Sequence, residues 1–279
     1  MKLSHILLAI LSVTLWGISY PLIKIITLQF PPLFASTLRL LVIGILFCPF
    51  VKKPKGEWFK LSLISITLFS LTFSLTTIAI QEIDASIAAF ITSLEVPFAA
   101  VVSYLFLKEK LRKLQIFGLF VSLLGVYFIV ESPEIAPSQL WRIILLLIVA
   151  LSYALSAVLV KGIKKTSSFS ITVWSATLAA PQLAIFSILF EKDHMSLIKK
   201  IDLNSTMIIF LLTLLSMLAF YFWNLLIKKY RVNQIMPFIL LVPVSSLISS
   251  YFLLGETTHI IAIFGGLLTI FGVWLQSRK

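Results

Sequence analysis

The 279-residue chain is poor in the side chains from which chemistry is usually built. It has one cysteine, three histidines and only 12% charged residues. A single cysteine, Cys48, excludes an internal disulfide. His5, His194 and His259 are far apart and show no metal-ligand spacing, so no metal and no cofactor is expected. No phosphate-cradling G-x-x-x-x-G-K, dinucleotide G-x-G-x-x-G, H-E-x-x-H or G-x-S-x-G occurs. A pump driven from its own nucleotide site is therefore not expected. The shortage of charge excludes more: a soluble domain carries roughly 25% charged residues. This chain cannot cover itself with a soluble shell.

What is there is apolar. Hydrophobic residues make up 59% of the chain, and the mean hydropathy is +1.07. A membrane helix needs about 20 mostly apolar residues to cross a ~30 Å hydrocarbon core. Ten runs qualify: 3–26, 33–51, 59–80, 86–107, 112–130, 140–162, 170–190, 206–227, 233–254 and 258–276. Their length, and the lack of alternating ten-residue strands, predict an all-α membrane protein rather than a barrel. The breaks between runs carry turn residues: Pro31-Pro32, Lys52 to Gly56, Ser132-Pro133 and Gly255. The first run continues well past Trp16 with no small-x-small cleavage pattern. It is expected to be a retained helix, not a cleaved signal.

The formal charge of +12 sits in short clusters between the runs. That is the pattern of cytoplasmic loops, not of a basic face for nucleic acid. With the N-terminus inside, the clusters at Lys52-Lys53, Lys108 to Lys113, Lys161 to Lys165, Lys228 to Arg231 and Arg278-Lys279 all fall inside. An even number of spans then places both termini in the cytoplasm.

The two halves repeat. At an offset of 147, Ser103 falls on Ser250, Tyr104 on Tyr251, Glu109 on Glu256, Gly118 on Gly265 and Gly125 on Gly272. The first spans align at 137, matching Trp16 with Tyr153, Ser19 with Ser156 and Lys24 with Lys161. The expected organisation is a first five-helix repeat over 1–131, an outer linker over 132–139 and a second repeat over 140–279. Five is odd, so the halves would insert in opposite directions. Inverted repeats recur in secondary transporters, with the substrate site near the midplane where the halves meet.

Longer segments carry a family resemblance. Residues 93–127, beginning S-L-E-V-P-F-A-A-V-V-S-Y, and residues 241–274, beginning L-V-P-V-S-S-L-I-S-S-Y, resemble the C-terminal pattern of the EamA family of the drug/metabolite transporter superfamily. L-W-G-I-S-Y-P-L-I-K (15–24) and P-P-L-F-A-S-T-L-R-L (31–40) are similar to its opening spans. The likeness covers essentially the whole chain and implies a multi-pass transporter. Within the family, Trp16-Gly17, Pro31 to Leu33, Val173 to Ala176 and Leu240 to Val244 resemble the O-acetylserine/cysteine exporter group. One departure is Gly255-Glu256-Thr257-Thr258, which lacks the family's basic residue after the glutamate.

Few polar residues lie within the spans. Arg39 sits mid-span, where a charge costs about 2.5–3.5 kcal/mol on insertion scales. It is a candidate anchor for a substrate carboxylate, or else part of a structural ion pair. Glu95, beside Ser93 and on a face with Ala88, Thr92 and Ala99, is a candidate for proton binding, for amine binding, or for pairing with Arg39. Pro97 and, near the matching position, Pro243 predict interrupted helices, the pointer to a transporter's binding site. Ser70, Ser74, Thr77 and Gln81 form one helical stripe that lines the pathway or packs against a neighbour. Trp16, Tyr20, Tyr153, Trp174 and Trp223 are candidates for an aromatic cavity wall or for the membrane interface; Trp16 and Tyr153 are too deep for an interface, which favours the cavity, and Asn224 stands beside Trp223. Trp58 and Trp141 are expected at the membrane interface. Glu109 and Glu256, after the fourth and ninth runs, are expected to cap the helices that follow or to gate.

The expected activity is secondary transport, exporting small amino acids or related metabolites across a bacterial cytoplasmic membrane by alternating access. The substrate is a small molecule and protons are a candidate coupling ion. The protein would be a monomer or homodimer in the bilayer. The alternatives are a lipid-carrier flippase or its subunit, and an exporter of another small metabolite or drug. An intramembrane enzyme would need grouped catalytic side chains, and Arg39 and Glu95 have no His, Cys or Asp beside them.

Overall fold

The computed structural model describes residues 1–54, 56–83, 85–129, 139–255 and 260–277. In chain order the helices are α1 (Leu3–Thr27), α2 (Pro32–Phe47), α3 (Trp58–Ile64), α4 (Leu71–Ala79), α5 (Ala85–Thr92), α6 (Glu95–Leu107) and α7 (Lys113–Ile129). They continue as α8 (Leu140–Lys161), α9 (Ser168–Phe190), α10 (His194–Lys199), α11 (Leu203–Lys229), α12 (Val232–Ile235), α13 (Val242–Leu254) and α14 (Ile260–Ser277). Among the described residues there is no strand.

Several runs are assembled from pieces. α3 and α4 are joined by a π-helical segment, Ser65–Ser70. Gln182 of α9 brackets it, accepting from the Ser70 hydroxyl at 2.7 Å and donating to that of Ser65 at 2.9 Å. α12 continues through a 3₁₀ segment, Met236–Leu241, into α13. Among the described residues, eight helical stretches are long and apolar enough to cross a membrane: Leu3–Thr27, Pro32–Phe50, Trp58–Ala79, Ala88–Leu107, Leu140–Lys161, Ser168–Phe190, Leu203–Lys229 and Val232–Leu254. The runs expected over 112–130 and 258–276 form the shorter apolar helices α7 and α14.

Helix ends follow the local chemistry. Pro32 opens α2, where its missing N–H costs nothing. Asp202 and Ser205 form a reciprocal capping box at the start of α11. α6 and α13 are both 13 residues long, and both ends are offset by 147, Glu95 to Val242 and Leu107 to Leu254. Each stops at a left-handed residue, Lys108 with φ 57° and Gly255 with φ 68°. Gly255 adopts that backbone at no steric cost, and Lys108 does not.

Large apolar side chains such as Phe106, Phe120, Ile188 and Phe252 are exposed on the outside, where lipid would cover them. The interior is rich in small polar residues, including Ser36, Thr72, Ser103, Ser122, Ser156 and Thr172. Small residues allow backbones to approach closely where no hydrophobic drive exists between helices. Many of these hydroxyls return to a carbonyl one turn back, as Ser12 does to Leu8 and Ser156 to Ser152.

Candidate functional site

A cavity opens in the middle of the bundle. Its wall is drawn from α1, α2, α4, α5, α6, α8 and α11, together with the segments around Leu68 and Ile239. The space open to the centre of a water molecule is about 90 Å³, several times the ~10–15 Å³ that one water needs. Trp16, Tyr20, Arg39, Thr77, Ser93, Glu95, Tyr153, Trp223 and Asn224 all contribute to the wall. The structure thus gathers residues from sequence positions 16 to 224 around one volume.

Arg39 is 3% exposed. Its Nη2 donates to the Ser216 hydroxyl of α11 at 2.8 Å, and the guanidinium lies 4.5 Å from the Phe73 ring centre. Its Nε is buried with no partner. Glu95, 6% exposed, occupies the first turn of α6. The positive end of the helix dipole favours a carboxylate there. Among the described residues no hydrogen bond or ion pair reaches the Glu95 carboxyl, and no ion pair joins it to Arg39. The direct Arg39–Glu95 pair considered from the sequence is therefore not made.

Tyr20 pairs with the Thr92 hydroxyl at 2.9 Å. Asn224 donates to Thr172 of α9 at 3.0 Å, which gives this amide its partner within the membrane. Trp16 packs edge-on against Phe220 and Trp223, with ring centres 5.1 and 5.2 Å apart. The indole N–H of Trp16 and the Thr76 hydroxyl are buried without partners. Ser93 turns its own hydroxyl back to Ala89 at 2.7 Å.

Two candidates lie away from the wall. Ser74 is not on the wall: its hydroxyl bonds the Ser70 carbonyl at 2.5 Å, the usual retreat of a helical serine. Trp174 is not a wall residue either. Its N–H donates to the Lys52 carbonyl at 3.0 Å, and its ring meets Trp58 at 5.1 Å. The polar stripe divides, with Thr77 on the cavity and Ser70 on Gln182. Pro97 and Pro243 lie outside the wall, in the first turns of α6 and α13 just beyond the interruptions at Ser93-Leu94 and Met236–Leu241. Ser216, Phe73 and Phe220 are wall residues that the sequence alone did not single out. Ser216, a polar residue one turn after Thr213 in the apolar run of α11, carried a signal in the sequence.

Both ends of the bundle are tied by polar links. Glu109 does not cap α7. Its carboxylate accepts from the Asn233 N–H at 3.2 Å, at the start of α12. Glu256 lies outside the described residues. Lys161 donates to the carbonyls of Ile227 (2.9 Å), Lys228 (3.4 Å) and Tyr230, satisfying the C-terminus of α11. Glu57 accepts from the N–H groups of Lys164 (2.9 Å), Lys165 (3.2 Å) and Thr166 (2.9 Å), and from the Thr166 hydroxyl at 2.7 Å. Burial alone would raise the Glu57 carboxyl, but these donors outweigh it and hold it down to about 2. At the other end Glu191, after α9, accepts from Leu33 N–H at 2.7 Å and Phe34 N–H at 2.8 Å, at the start of α2. There Arg142 pairs with Glu82 at 2.6 Å and donates to the Ile78 carbonyl.

The chain is similar in sequence to known proteins and in fold to a solved structure. The sequence profile of the EamA-like transporter family matches residues 3–131 and 140–278. The chain is similar to a "Probable amino-acid metabolite efflux pump" of Salmonella typhimurium, 28% identical, covering 96% of this chain and 93% of that protein. A protein of the same name from Escherichia coli is 24% identical with the same coverage. An "Uncharacterized transporter YoaV" of Bacillus subtilis is 26% identical, covering 98% and 96%. A solved crystal structure superposes with a TM-score of 0.78 at 16% identity, covering 99% of this chain and 96% of the other. The chain belongs to the EamA-like transporter family.

Proposed function

We propose that this chain is a secondary transporter of a bacterial cytoplasmic membrane that exports small amino acids or related metabolites by alternating access. The observation that carries it is the central cavity, whose wall holds Arg39 and Glu95 and is drawn from helices on both sides of residue 139. A site shared between halves can open to either side as one half rocks against the other. The relatives named as amino-acid metabolite efflux pumps support the substrate class.

Ten spans in two inverted five-helix halves, 1–131 and 140–279, account best for the architecture, with both termini in the cytoplasm. α7 and α14, at 17 and 18 residues, rise roughly 25–27 Å at ~1.5 Å per residue. That is near the lower limit for crossing a bilayer. The common 147-residue offset of α6 and α13 supports the repeat. Protons are the proposed coupling ion, with Glu95 as the carrier.

The test is counterflow in proteoliposomes. Vesicles loaded with unlabelled cysteine, O-acetylserine, threonine or aromatic amino acids are given a labelled trace outside, with and without a pH gradient. Uptake stimulated by one loaded class is expected. No exchange by folded, inserted protein overturns the amino-acid reading in favour of a lipid carrier or another metabolite.

A further inference from the structure

We infer that the cavity binds its ligand as a zwitterion: the carboxylate of a free α-amino acid against Arg39, and its ammonium group against Glu95. The inference rests on the transport reading above and names the groups of the ligand which that site recognises.

Among the described residues, Arg39 and Glu95 are the only ones of the wall whose side chains are ordinarily ionised. They are 3% and 6% exposed. Buried charges are retained only when something pairs with them, because taking an ion out of water is costly. Here neither pairs with the other, and among the described residues no hydrogen bond or ion pair reaches Glu95. Arg39 has one neutral partner, Ser216, and spends the face of its guanidinium on Phe73. Its Nε has no partner, and no described residue takes up its Nη1.

The two charges are also held apart. Arg39 is tethered to α11 and Glu95 is built into the first turn of α6. Tyr153 of α8 lines the same cavity. A ligand of one charge would neutralise one end and leave the other bare. A ligand with a carboxylate and an ammonium completes both. Guanidinium takes a carboxylate through two parallel hydrogen bonds, and a carboxylate accepts from an ammonium's donors. The rest of the wall has no further charge, and Trp16, Phe220 and Trp223 form an aromatic face. The ligand's side chain is therefore uncharged.

The test is equilibrium binding to the purified full chain in lipid nanodiscs, followed by tryptophan fluorescence, since Trp16 and Trp223 line the cavity. The probes are L-threonine and L-phenylalanine, each as the free amino acid, as its C-terminal amide and as its N-acetyl derivative. In the unaltered protein the free forms are expected to bind at least ~10-fold more tightly than either derivative, as losing a hydrogen-bonded charge pair implies. In Arg39→Gln the advantage of the acid over the amide disappears while that over the N-acetyl form persists. In Glu95→Gln the pattern is reversed. The measurement on the unaltered protein decides the matter even if a variant fails to fold. Derivatives that bind as well as the free amino acids, with counterflow intact, overturn the zwitterion but not the transport reading. Equal weakening of all three forms in both folded variants also overturns it. If no probe binds, both fail.

Discussion

Thr269 hydrogen-bonds the main-chain carbonyl of Ser122, the residue 147 positions before it, at 3.4 Å. That separation equals the 147-residue offset at which the sequence matches itself, so two positions matched at that offset touch. The surrounding contacts run in opposite senses. Gly118 of α7 lies against Gly272 of α14, and Gly125 lies against Gly265. Since Gly118 is the counterpart of Gly265, and Gly125 of Gly272, α7 and α14 cross as if related by a local two-fold axis.

The crossing depends on missing side chains. A Cβ on Gly125 would stand 2.5 Å from the Thr269 nitrogen, and one on Gly272 2.5 Å from that of Ser122. Backbone cannot yield as a flexible side chain does. Gly125→Ala and Gly272→Ala are expected to lose about 1–3 kcal/mol, the usual penalty of overpacking. At Gly266 the nearest atom would be 3.8 Å away, and Gly266→Ala is expected to be neutral or slightly stabilising. Thermal melts of the three variants in one detergent check this.

Lys108 ends α6 with the left-handed backbone that Gly255 supplies after α13. Lys108→Gly should therefore stabilise the protein by up to about 1 kcal/mol, as the strain of a Cβ in that region is removed. A rise in melting temperature with transport unchanged is the expected result.

Glu57 ties the start of α3 to the loop before α9 through four groups of Lys164, Lys165 and Thr166. Its carboxyl is held below its ordinary 4.5, at about 2. A depressed carboxylate contributes stability that is complete above its unfolded value and fades as pH falls through the folded one. The melting temperature should thus decline more steeply between pH 5 and about 2 in the unaltered protein than in Glu57→Gln. At neutral pH Glu57→Gln should be the less stable by on the order of 1 kcal/mol, with solvent screening allowed for.

Glu95→Gln separates exchange from coupling. Exchange of one amino acid for another needs no net proton movement, so it is expected to continue at raised substrate concentration. Stimulation by a pH gradient is expected to vanish. Proteoliposome uptake with and without the gradient measures both.

Much of this was legible because helix-forming runs and breaks are local properties. Pro97 and Pro243 flagged interruptions, and the helices restart at Glu95 and Val242. The 3₁₀ segment also contains Pro237, a local cue that the sequence reading did not use. Partners far along the chain were not legible. Arg39 and Ser216 are 177 residues apart, and no periodicity connects α2 to α11. By residue type alone Trp174 fitted a cavity wall or the membrane interface, and the partners that place it, Trp58 and the Lys52 carbonyl, lie far away along the chain. Glu57 and Glu191 sit at chain turns, where an acid reads as a solvated charge. Their role emerges only when another segment's free N–H groups arrive beside them.

The central claim is that one cavity serves both sides of the membrane. It is tested by placing a single cysteine at Ala157, a wall residue 4% exposed, in a Cys48→Ala background. Labelling by a membrane-impermeant thiol reagent is then followed from each face of oriented vesicles. The account predicts labelling from either face, slowed from both by a saturating free amino acid. Labelling from one face only, whatever the substrate, would contradict it.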